Sequence, residues 1–165
     1  MADVALPRAY LDALTRLARR ELTEAQMRQR LARRGHPQDE IDAAITRLTI
    51  ERALDDTRVA AAMARDAVRL KQRGRRRILQ QMASAGIATS VAQHAVDDVF
   101  QDVDPDEVLD QALDRRLRGA PIGPDRRVRA RLYRYLVGQG FEPDRVMAAL
   151  RRRGSSSGSG AGDED

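Results

Sequence analysis

The chain has 165 residues, 33% of them charged, and a formal net charge of +5. It has no cysteine, which excludes disulfides, a thiolate nucleophile and a zinc–cysteine site, and fits a reducing compartment. No apolar run approaches the ~20 residues of a membrane span and no secretory apolar core opens the chain, so a cytoplasmic protein without a membrane partner is expected.

Apolar residues recur at helical spacing throughout, and no segment alternates as a strand does. Leu6, Leu11, Leu14 and Leu17 mark a first helix with Pro7 near its start. Thr23, three residues before Gln26, predicts a capping box, and the helix it opens should stop at Gly35. Pro37 suits the first turn of a third helix, whose Ile41, Ala44, Ile45 and Leu48 share a face. Asp55 or Asp56 caps a long fourth helix to about Gln72, interrupted by Gly74. A fifth carries Ile78, Leu79 and Met82 to Gly86, and a sixth follows Thr89. Asp104-Pro105-Asp106-Glu107 reads as cap, first-turn proline and acidic first turn of a seventh. Residues 120–123 form a loop. An eighth helix carries Val128, Leu132, Tyr135 and Leu136 to about Gly140, and a ninth from Pro143 carries Val146, Ala149 and Leu150. The Gly/Ser-rich, acid-ended stretch from Gly154 to Asp165 has too little apolar surface to offset ordering entropy and is expected to be disordered.

The helices fall into three sets of three. Met27-x3-Leu31-x3-Gly35, Ile78-x3-Met82-x3-Gly86 and Leu132-x3-Leu136-x3-Gly140 align, and ten residues past each glycine stand Ile45, Val96 and Leu150, each preceded by alanine. The glycines are 51 and 54 residues apart, the mark of a tandem array. The predicted fold class is all-α: an elongated array of three helix-turn-helix-like, three-helix repeats over residues 1–54, 55–103 and 104–153, followed by the tail 154–165.

Charge is patterned along this array. Residues 55–96 carry eight basic and three acidic groups, residues 97–114 eight acidic and no basic, and residues 115–153 twelve basic and three acidic. Lys71 is the only lysine; arginine, with its planar fork of donors, supplies the rest. Such blocks imply contact with nucleic acid and with a charged protein.

Two basic groups are candidate binding residues. Lys71, Arg73, Arg75, Arg76 and Arg77 flank Gly74, and Arg126, Arg127, Arg129, Arg131 and Arg134 open the third repeat. Both could instead be solvated helix faces with internal ion pairs. Tyr133 is the better candidate for stacking on a base, because Tyr135 shares the spacing of Leu132 and Leu136. Arg151 to Arg153 suit a helix C-terminus. Asp102-x-Asp104-x-Asp106 begins like a calcium loop, but Glu107 stands where the turn needs glycine and Leu113 where it needs glutamate. That acidic stretch reads instead as a dipole-facing first turn, or as the neutraliser of Arg115–Arg118. No phosphate loop or catalytic motif is present, and His36 and His94 are the only histidines, so neither enzyme activity nor a metal or cofactor is expected.

The segment from Leu17-Ala-Arg-Arg-Glu-Leu-Thr to Gly35, then Ala53-Leu54-Asp55-Asp56-x-Arg58, Gly74-Arg-Arg-Arg-Ile78 with Gly86-Ile87, and Arg131-Leu-Tyr-Arg-Tyr-Leu136 with Gly140-Phe141, resembles the RecX family of recombination regulators over about residues 9–153. It departs from the family pattern at Ala53, where glycine is usual, at Val59, where an aromatic is, and at His36, where phenylalanine is common. The resemblance implies a partner, the RecA filament on single-stranded DNA, and a protein that suppresses strand exchange and ATP turnover and promotes filament disassembly; a monomer is expected, and weak direct nucleic-acid binding is compatible with this reading. The alternative from the residues alone is a helix-turn-helix-like module that binds DNA directly.

Overall fold

The computed structural model describes residues 7–156, and the described residues form nine α-helices and no strand. These are α1 (Arg8–Leu17), α2 (Glu24–Arg33), α3 (Gln38–Ile50), α4 (Asp56–Arg69), α5 (Arg75–Ser84), α6 (Thr89–Val99), α7 (Pro105–Leu117), α8 (Arg126–Gly138) and α9 (Pro143–Ser156). The helices gather into two compact units. One holds α1, α2, α3, residues 56–62, 81–84 and 89–95; the other holds residues 63–69, 75–80 and 96–99 with α7, α8 and α9.

The repeat is visible in the backbone. α2, α5 and α8 each end at a glycine in the left-handed region, with φ of +82° at Gly35, +79° at Gly86 and +91° at Gly140. Around each glycine the same two hydrogen bonds form. The glycine N–H donates to the carbonyl three residues back (Ala32, Ala83, Val137), and the next residue's N–H donates to the carbonyl five residues back (Leu31, Met82, Leu136). This is the Schellman arrangement, which satisfies carbonyls that the helix end leaves unpaired. Ile87 and Phe141 follow their glycines into the core. In the first copy the following residue is His36, whose Nε2 lies 3.2 Å from Asp12 on α1, so the polar replacement finds a partner.

In the first unit the core gathers Ala9, Tyr10 and Ala13 of α1, Leu22, Met27 and Leu31 on and beside α2, and Ile41, Ala44, Ile45 and Leu48 of α3. The buried face of α1 is therefore not the expected leucine line. Leu11 and Leu14 are 46% and 36% exposed, Leu17 is partly buried, and Leu6 lies outside the described residues. Two alanines allow close approach to α3, and Tyr10 reaches it with its hydroxyl 2.7 Å from Glu51 Oε2 and Arg47 stacked 4.3 Å from its ring centroid.

The capping box at Thr23 forms, with its Oγ1 accepting from Gln26 N–H at 3.1 Å. The same hydroxyl donates to Ala85 O at 2.6 Å, tying the start of α2 to the end of α5. The two aspartates at the start of α4 cap different helices. Asp55 accepts from Arg58 N–H at 3.0 Å, whereas Asp56 accepts from Glu24 N–H, at the start of α2, at 2.9 Å. Burial raises the Asp56 carboxyl above its usual range, against that hydrogen bond.

In the second unit, α4 stops at Arg69, short of the expected Gln72, whose own φ is +45°. Gly74 sits against the turn that closes α8: its N–H donates to Gln139 O at 2.9 Å, and Arg76 N–H donates to Gly140 O at 3.3 Å. Start-of-helix donors here meet end-of-helix acceptors. Asp104 caps α7 and Asp125 caps α8. The core gathers Val108, Leu109, Ala112 and Leu113 of α7, Leu132 and Leu136 of α8, and Val146, Ala149 and Leu150 of α9. α9 continues through Ser156, three residues past the expected end at Arg153, and Gly154 leaves room there for the Arg129 side chain. The remainder of the expected disordered tail lies outside the described residues.

Candidate functional site

The two arginine groups singled out from sequence have different fates. Around Gly74 the side chains do not form one patch. Arg75 pairs with Asp97, Nη1 to Oδ1 at 2.5 Å, and its guanidinium lies 4.9 Å from the Phe100 ring centroid. Arg77 donates to Gln80 Oε1 at 3.2 Å. Arg73 is half-buried, with Nε and Nη1 buried and unbonded among the described residues. Only Lys71 and Arg76 of this group are exposed.

On α8 the expected residues converge better. Arg126, Arg127, Arg131 and Arg134 are exposed, and Arg129 and Tyr133 half-buried. A groove of about 460 Å³ runs between α8 and α9, lined by Ala130, Tyr133, Met147 and Leu150 and edged by Arg129, Arg134 and Arg151. Met147 is 42% exposed there, large for an unpartnered apolar side chain. Arg129 passes over Gly154, and its Nε is buried with no hydrogen-bond partner among the described residues. Tyr135 is half-buried beneath Arg116, 5.0 Å from its ring centroid. An apolar floor with a cationic edge suits a partner that offers an apolar side chain or a base beside negative charge.

Of the two readings of the acidic stretch, the first-turn one holds, with Asp104 capping α7 and Asp106 and Glu107 in its first turn, while the α7 carboxylates pair with α9 rather than with Arg115–Arg118 among the described residues. Asp106 pairs with Arg145 at 2.8 Å, Asp110 with Arg152 at 3.5 Å, and Asp114 with Arg153. The Arg153 hydrogen bond holds the Asp114 carboxyl below the usual carboxylate range. Arg115 donates instead to Leu70 O and Gln72 Oε1. Asp106 and Arg145 are far apart in sequence; only the packing of α7 beside α9, the two running in the same direction, brings the two signs together.

One basic feature escaped the sequence reading. In the first unit, Arg16, Arg19, Arg20, Arg30 and Arg34 line a concavity of about 220 Å³ between α1 and α2, together with Asp12, Thr15 and Leu22. Arg16 Nε lies 3.2 Å from Asp12 Oδ1. Burial pushes the Asp12 carboxyl up, but hydrogen bonds from His36 and Arg16 and the charges of Arg16 and Arg34 outweigh it and hold the carboxyl below its usual range. The signal was present in the pairs Arg19-Arg20 and Arg33-Arg34, but residues 1–54 hold ten basic and eight acidic groups, so their net charge drew no attention.

Comparison with known proteins follows the same outline. Residues 9–48 match the first three-helix domain of RecX, and residues 55–96 its second. The chain is 36% identical to the regulatory protein RecX of Halorhodospira halophila over 138 residues, covering 83% of each chain. It is 30% identical to that of Syntrophotalea carbinolica, over 81% of this chain and 88% of the relative. The crystal structure of RecX from Lactobacillus salivarius superposes with a TM-score of 0.72 over 89% of this chain and 95% of that one, at 19% identity. A second RecX crystal structure gives 0.75 over 88% and 72%, at 23% identity. With two of the family's three-helix domains matched and 36% identity over most of both chains, the chain belongs to the RecX family of regulatory proteins.

Proposed function

We propose that this chain binds the RecA filament on single-stranded DNA and restrains it, limiting strand exchange, ATP turnover and filament stability in DNA repair and the SOS response. It acts as a monomer in the cytoplasm and performs no catalysis. Family membership supports a regulatory role, and the α8–α9 groove is the observation that carries a protein contact. Met147 and Tyr133 offer apolar area, and Arg129 and Arg134 edge it, so the groove accepts an apolar side chain from a negatively charged filament surface. Lys71 and Arg76 add exposed charge to the same unit. Arg75 is better assigned to holding Asp97 and Phe100 in place. Direct contact with nucleic acid is weak and secondary in this reading.

The test is co-sedimentation with RecA filaments, comparing the unaltered chain with Met147→Asp and Arg134→Glu. Both positions are exposed, so helicity by circular dichroism should be retained. Filament binding should fall at least ~10-fold in each, the scale of a lost contact residue. Binding unchanged in both would remove the groove from the interface.

A further inference from the structure

The arginine concavity between α1 and α2 lies outside the groove just described and was not among the expected binding residues. We infer that it binds a phosphate of a nucleic-acid backbone. Five arginine side chains line it beside one carboxylate, Asp12, which is already engaged by Arg16 and His36. Arg19 and Arg20 have no side-chain partner among the described residues. Elsewhere in this unit several arginines are paired with acids: Arg28 with Glu24 and Asp42, Arg47 with Glu51, and Arg58 with Glu21. Five of the unit's arginines, by contrast, gather around one hollow.

Helix termini account for part of this. Arg19 and Arg20 follow the end of α1, and Arg30 and Arg34 stand at the end of α2, where carbonyls favour cations. That preference explains a cation or two, not five around one hollow, where like charges repel unless an anion joins them. Arginine is also the side chain whose geometry matches phosphate bidentately.

The shape selects the kind of anion. At about 220 Å³ the hollow is smaller than the roughly 300–1,000 Å³ pockets that enclose whole ligands. It holds one phosphate with part of its sugar while the rest of a polymer continues outside. Leu22 is the one apolar side chain in the lining and is itself 2% exposed, so an acidic peptide finds no apolar anchor. A phosphodiester chain needs none.

The test is fluorescence anisotropy of a labelled oligo-dT titrated with the full chain across a salt series, with RecA left out. The outcome is thus independent of the filament reading. The unaltered chain should bind with salt-dependent affinity. The double variant Arg19→Ala/Arg20→Ala should bind at least ~10-fold more weakly at low salt, with a log–log salt slope shallower by about 1.4, the value for two lost single-strand phosphate contacts. Arg30→Ala/Arg34→Ala, on the other helix, provides a second variant if the first loses helicity. Three results would each overturn the assignment: no oligonucleotide binding by the unaltered chain, variant binding unchanged with helicity retained, or displacement of the oligonucleotide by inorganic phosphate at constant ionic strength. The last would make the hollow a small-anion site.

Discussion

Replacing Gly74 by alanine should destabilise the second unit severely, although Gly74 needs no unusual backbone angle. A Cβ there would lie 2.3 Å from the carbon and oxygen of Gly140 and 2.5 Å from the nitrogen of Phe141. These are backbone atoms, which cannot rotate aside as a flexible side chain can. Carbon atoms rest about 3.5–4.0 Å apart, so the two segments must separate by more than an ångström. That separation breaks the bond from Gly74 N–H to Gln139 O, now 2.9 Å, and the bond from Arg76 N–H to Gly140 O, now 3.3 Å. Two net hydrogen bonds at about 1 kcal/mol each, with about 1–3 kcal/mol for overpacking, give a loss of about 3–5 kcal/mol. Gly35→Ala is the control. It has φ +82° and nothing within 4 Å, so it meets left-handed backbone strain alone, about 1–2 kcal/mol. Urea unfolding followed by circular dichroism measures both, and hydrogen exchange at Arg76 locates the effect. If Gly74→Ala costs no more than Gly35→Ala, the close approach of the two turns is not what holds this junction.

Thr23→Val preserves shape but removes the cap and the donor to Ala85 O; it should cost about 1–3 kcal/mol, read as a lowered Tm. Asp12→Asn should show a pH signature. Its carboxyl is held below the usual range in the folded chain, so its stabilising contribution is present above the unfolded value of about 4 and is lost as pH falls through the folded value. The stability gap between Asp12→Asn and the unaltered chain should therefore be full at pH 5 and narrow steadily below about pH 4; a gap constant down to acid unfolding would contradict the ion pairing. Asp110→Asn/Asp114→Asn should loosen α9 by about 1 kcal/mol at low salt and by much less at high salt, because these pairs with Arg152 and Arg153 are part-exposed. Exchange rates of the α9 amides provide that measurement.

Local signals read well from the sequence because they rest on residues close together. Thr23 with Gln26 forms the box that its spacing predicts, Asp104 with Pro105 starts α7, and three glycines close three helices. Errors arose where partners are distant. Helical spacing allowed a Leu11–Leu14 face on α1, but the core selected Tyr10 with two alanines, because α3 presents Arg47 and Glu51 to the tyrosine. A basic run in sequence is not a basic patch in space: Arg75 turns to Asp97, while Arg129, Tyr133 and Arg134 share one groove only through α9. The α1–α2 hollow was hidden for the converse reason, since acids interspersed in sequence pair with arginines elsewhere.

The most direct measurement of the central claim is the rate of ATP hydrolysis by RecA on single-stranded DNA, titrated with this chain at fixed salt. Inhibition well below one chain per RecA protomer, reduced in Met147→Asp, is the expected result. An unchanged rate at stoichiometric excess, with the chain folded and RecA active, would contradict filament regulation.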